Sequence, residues 1–95
     1  MKTFNITKAH LDSNNFYVGP ENLENFDGHI TADENLGTVR FAQGISCTGS
    51  IVFGTTSGIE TGCGIKAGEG IKAGLGIEAG YGIKAGEGIE AGYGI

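Results

Sequence analysis

Few residues in this chain have the type and spacing for chemistry. Gly68-Glu69-Gly70 invites a phosphate-cradling loop, but the next glycine is Gly74. That is one residue too late for the dinucleotide fingerprint, no helix is expected to follow, and no lysine-bearing P-loop occurs. His10 and His29 could act as bases or metal ligands, yet neither has a nucleophile or second ligand at useful spacing. Solvated or capping roles are expected for both. Calcium solenoids need recurring aspartates, and residues 58–95 contain none. No catalytic, cofactor or metal residue is therefore assigned, and the chain is not expected to be an enzyme. Two features suit binding. Glu21, Glu24, Asp27, Asp33 and Glu34 make residues 21–34 acidic, relieved by His29. They read either as a solvated surface or as a docking patch for a basic protein. Tyr81 and Tyr93 are candidate contact residues of the kind that anchors interfaces.

The element that must carry these side chains is a repeat. From Gly64 the chain runs GIKAGE, GIKAGL, GIEAGY, GIKAGE, GIEAGY, GI. Ile and Ala lie two apart, so in an extended strand they share a side while the Lys or Glu between them points away. Two glycines bracketing one residue suit a corner. A helix is excluded by the six-residue period and the density of glycine. One unit cannot bury its Ile alone, so the copies must stack as coils of an all-β solenoid.

Two coil sizes fit a six-residue unit. Three units per coil give the triangular left-handed β-helix that hexapeptide-repeat acyltransferases share. Their pattern sets a small residue two before the aliphatic one, where this chain has Cys63, Glu69, Leu75, Tyr81, Glu87 and Tyr93. Two units per coil give a compact two-layered solenoid of twelve residues per turn, in which Ile of one layer faces Ala of the other. The second arrangement is preferred. It stacks Glu69, Tyr81 and Tyr93 at one corner and Cys63, Leu75 and Glu87 at the other. Its strand-centre columns are Glu60, Lys72, Lys84 and Lys66, Glu78, Glu90.

Ninety-five residues make one small domain. A net charge of −5 argues against nucleic acid as a partner. No stretch is apolar enough for a membrane span or a signal peptide, so a cytoplasmic setting is expected. Cys47 should be buried and Cys63 should sit at a corner, which leaves them unbridged. Residues 1–27 are not repetitive and form the natural N-terminal cap, with Phe4 and Ile6 alternating as a first short strand. Degenerate coils are expected over 28–57, where Ile30-Thr31-Ala32, Val39-Arg40-Phe41, Ile45-Ser46-Cys47 and Ile51-Val52-Phe53 keep the inward pairs. Two extra residues around Thr55-Thr56-Ser57 precede the regular repeat of 58–95.

A last coil without a polar closing segment offers free backbone groups and an apolar row, here Ile89, Ala91 and Ile95, to a second copy of the chain. End-to-end association, as a dimer or a filament, is the expectation. The run GIKAGEGIKAGLGIEAGYGI, with the leader NLENFDGHITADENLGTVRF, resembles a group of bacterial proteins built from GI-x-AG-x hexarepeats. The resemblance implies a very narrow β-solenoid behind a small cap. The expected function is a non-enzymatic structural or protein-interaction module; the competing one is an immunity-type protein that neutralises a basic toxin through the acidic cap.

Overall fold

In the computed structural model, which describes residues 2–92, the chain is a β-solenoid of about three turns. Parallel strands stack into three walls. The first wall holds β1 (Lys2–Ile6), β2 (Gly28–Ala32), β5 (Ile51–Phe53), β8 (Ile71–Ala73) and β11 (Ile89–Ala91). The second holds β3 (Gly37–Phe41), β6 (Ser57–Thr61) and β9 (Ile77–Ala79), and the third holds β4 (Ile45–Cys47), β7 (Gly64–Ala67) and β10 (Gly82–Ala85). The chain visits the walls in rotation, one strand each.

The all-β solenoid is as expected, but the twelve-residue, two-layered coil is not. Ile65 pairs with Ile83, Ile71 with Ile89 and Ile59 with Ile77, so one coil takes three hexads, or eighteen residues. Ile65 and Ile77 stand on different walls. The corners explain the choice. Folding a strand back on itself over three residues calls for left-handed backbone, yet among the described glycines only Gly28, Gly37 and Gly82 take a positive φ. The Gly-x-Gly corners turn the chain gently, and three gentle turns close a triangle. The small residue that triangular coils need lies two after each Ile instead of two before. The bulky residues that weighed against this shape are corner tips.

The repeat's two glycines do different work. Gly68, Gly80, Gly86 and Gly92, each following an inward Ala, lie against the backbone one coil above. An added Cβ there would strike the carbonyl oxygens of Thr48, Gly62, Gly68 and Gly74 respectively. The glycine before Ile is freer at Gly64, Gly70 and Gly88, and a Cβ at Gly70 would sit 3.4 Å from Gly88 O. Close stacking, more than turning, explains the first glycine.

Inward Ile and Ala positions form the core, with Ile30, Ile51, Ile59, Ile65, Ile71 and Ile77 almost fully buried. The coils above the strict repeat are longer: Ile51 pairs with Ile71 and Ile30 with Ile51. All the extra length falls between the first and second walls. There Asn35 and Thr56 take left-handed φ values of 62° and 57° and stack, with Asn35 N–H donating to Thr55 O at 2.9 Å and Thr56 Oγ1 to Asn35 Oδ1. Ser57, wholly buried, ties the coils together. Its hydroxyl donates to Asp33 O at 2.6 Å and accepts Leu36 N–H at 3.0 Å.

The cap extends each wall upward by one rung: β1 on the first, Phe16 beside Arg40 on the second, and Phe26 beside Cys47 on the third. A single 3-10 turn, Lys8–His10, and the bridge between Leu11 and Tyr17 join these rungs. Thr7 N–H donates to His10 Nδ1 at 3.0 Å. Beneath lies an aromatic column, Phe4 to Tyr17 to Phe41 to Phe53, with ring centroids 6.1, 5.7 and 6.3 Å apart.

Candidate functional site

The two ends of the solenoid differ, and the difference follows from side-chain type. At the cap end, Ile6, Leu23 and Phe26 are buried beneath polar, exposed residues such as Lys8, Asp12 and Asn14. At the other end the repeat has only Ile and Ala to offer. Ile65, Ile71 and Ile77 are each 2% exposed, whereas Ile83, Ala85, Ile89 and Ala91 one coil lower are only half-buried. Down the rod, three Ile N–H groups donate to the glycine carbonyl one coil further on: Ile51 to Gly70, Ile59 to Gly76 and Ile71 to Gly88, at 3.0–3.1 Å. β9, β10 and β11 close their sheets as edge strands among the described residues. Ile89 and Ala91 therefore lie on the edge that the sequence nominated; Ile95 and Tyr93 fall outside the described residues.

The outer columns are re-sorted by the eighteen-residue coil. Arg40, Glu60 and Glu78 stack on the second wall, Ser46, Lys66 and Lys84 on the third, and Val52, Lys72 and Glu90 on the first. The expected columns Glu60–Lys72–Lys84 and Lys66–Glu78–Glu90 do not form. Arg40 Nε meets Glu60 Oε1 at 3.0 Å, and its guanidinium lies 5.5 Å from the Phe16 ring centroid. The corners change likewise. Tyr81, 87% exposed, follows Cys63 and donates its N–H to Cys63 O at 3.2 Å, so it does not stack on Glu69. Glu87 stacks beneath Glu69, with Glu87 N–H to Glu69 O at 3.0 Å, and Leu75 lies under Ser57.

The acidic residues of 21–34 are spread around the first coil. Glu21 and Glu24 lie where the second wall passes to the third, and Asp27 at the corner between the third and the first, where it accepts the Thr48 hydroxyl at 3.0 Å. Asp33 and Glu34 lie at the remaining corner, and Asp33 accepts Asn5 Nδ2 at 2.8 Å. No single wall collects all five, and Tyr81 lies two coils below.

One cluster was not legible in the sequence. Ser50 N–H donates to His29 Nδ1 at 3.0 Å, and Ser50 Oγ lies 3.1 Å from that nitrogen and 3.5 Å from Glu69 Oε1. Only the coil register brings these three residues together. The serine is the middle member, so the carboxylate does not orient the imidazole as a nucleophile–histidine–acid relay requires. The cluster acts as a strut across three coils. Below it, a groove of about 550 Å³ on the first wall is lined by Val52, Ile71 and Lys72 and flanked by Glu69, Glu87 and Glu90. Among the described residues no three His, Cys, Asp or Glu side chains gather as a metal site. Cys47 is buried, which pushes its thiol pKa up, Cys63 is half-buried at its corner, and both are free thiols. Among the described residues no helix is long and apolar enough to cross a membrane. No family model matches the chain, and neither a curated protein nor a solved structure shows significant similarity to it.

Proposed function

We propose that this chain is a non-enzymatic structural and protein-interaction module of a bacterial cell, a glycine-rich hexapeptide-repeat β-solenoid that associates with further copies of itself through the edge strands β9, β10 and β11. The reading rests on one observation. The cap seals one end over buried Ile6, Leu23 and Phe26, while Ile83, Ala85, Ile89 and Ala91 at the other remain half-exposed beside edge strands. Such an edge recruits another strand readily. A coil of the same cross-section covers the Ile and Ala row and continues the backbone ladder. The two free thiols suit a reducing, cytoplasmic setting.

Light scattering across a concentration series tests this. In about 0.5 M salt, which screens exposed ion pairs, the 95-residue chain should gain mass with concentration, and Ile89→Lys, which sets a charge on the edge, should remain monomeric. A parent chain that stays monomeric throughout contradicts the proposal. The competing reading, capture of a basic toxin through Glu21, Glu24, Asp27, Asp33 and Glu34, gains no comparable support because those carboxylates encircle the rod. Neutralising all five should leave self-association unchanged.

A further inference from the structure

The segment Gly-Ile-Lys-Ala-Gly-Glu-Gly occurs twice, at 64–70 and 82–88. Its spacing equals one coil, so the two copies lie one above the other, Lys66 on Lys84 and Glu69 on Glu87. The third wall therefore carries a lysine column, and the corner bordering it carries a parallel glutamate column. All four side chains are exposed. Among the described residues the one ion pair is Arg40–Glu60, on a different wall, so neither column is neutralised by a partner within 4.0 Å. Coils repeat at about 4.8 Å, and like charges that close repel.

This pattern is complementary to itself. A two-fold axis parallel to the rod, set midway between the columns, preserves height and exchanges left for right. It brings Lys66 to Glu69 of a second copy and Lys84 to Glu87 of that copy, and both contacts occur twice. Lys66 and Glu69 belong to one coil and differ in height by only about 1 Å at this pitch, so all four pairs meet together. Gly68 and Gly86 between the columns put no side chain in the way. A closed two-fold contact is also the commonest way identical chains pair.

We infer that the third wall and its glutamate corner form a second, lateral surface on which another copy of this chain docks side by side and pointing the same way. It is separate from the end contact, and the two respond oppositely to salt. The lateral contact is made of exposed ion pairs, which salt screens; the end contact is apolar and backbone-mediated.

Charge reversal provides the test, read by sedimentation at low ionic strength in an Ile89→Lys background that removes the end contact. The starting chain should form a dimer that added salt dissociates. Lys66→Glu with Lys84→Glu should raise the dissociation constant at least about tenfold, and so should Glu69→Lys with Glu87→Lys. An equimolar mixture of the two reversed chains should recover pairing, as a one-to-one heterodimer. All four residues are exposed, so folding should survive, as circular dichroism would verify. Failure of the mixture to pair, or a dimer indifferent to salt and to both reversals, overturns the lateral surface and leaves the end contact untouched.

Discussion

The upper coils and the lower coils solve the same packing problem with different material. Between Gly28 and Thr61 the interior is filled by Phe41, Phe53, Val39 and Cys47 as well as Ile, and the coils run to twenty residues or more. From Gly64 on, Ile and Ala suffice and eighteen residues close each turn. The extra length above lies in one corner and leaves the walls in register. Coil length is thus set by corners and cross-section by inward side chains. The lower coils are narrow and uniform, and depend on the aromatic coils for an ordered surface to stack on.

The largest effect that would break this contrast is at Phe53, 2% exposed and packed edge-to-face with Phe41. Phe53→Ala should cost about 3–5 kcal/mol in chemical denaturation, while Ile83→Ala in the half-open last coil should cost well under half as much. Equal losses would mean that the lower coils are not subordinate. Next comes the pair of glycines. Gly68→Ala drives a Cβ into Thr48 O and should cost about 1–3 kcal/mol, whereas Gly70→Ala, with 3.4 Å to Gly88 O, should be nearly neutral. Ser57→Ala orphans Leu36 N–H and Asp33 O and should cost about 1–3 kcal/mol, confined to the upper coils as judged by amide exchange.

The smallest effect is alkaline. Burial raises the pKa of Cys47 and also that of Tyr17, whose hydroxyl donates to Glu21 O at 2.8 Å. Both groups ionise more readily in the unfolded chain. Their contribution is whole below about pH 9 and falls away as pH rises through the folded-state values. Cys47→Ala should flatten the first part of that fall in a melting-temperature profile.

Much of this could be read from the residues alone. The Ile-x-Ala pairs face inward and the insertion lies at Thr55-Thr56, because strand alternation and six-residue spacing are local properties. Coil size was not legible from the period, since six divides both twelve and eighteen. Exact seven-residue recurrences exist at both steps, GIKAGEG at Gly64 and Gly82 and GIEAGYG at Gly76 and Gly88, so even the longer repeats do not choose between eighteen and twelve. The cap rungs at Phe16 and Phe26 are single bridges imposed by the coil below, with no periodicity to announce them. Ser57 and the His29–Ser50–Glu69 strut likewise depend on contacts between coils, which no local pattern encodes.

Everything assigned to a wall, a corner or a charge column depends on three hexads to the turn. Paired spin labels test this directly, in a chain whose Cys47 and Cys63 are replaced by alanine and which is diluted with unlabelled chain to suppress contacts between copies. Labels at positions 66 and 84 should show strong dipolar broadening, as neighbours on stacked strands, while labels at 72 and 84 should not. Broadening at 72 and 84 without broadening at 66 and 84 would restore the two-layered coil and contradict the account.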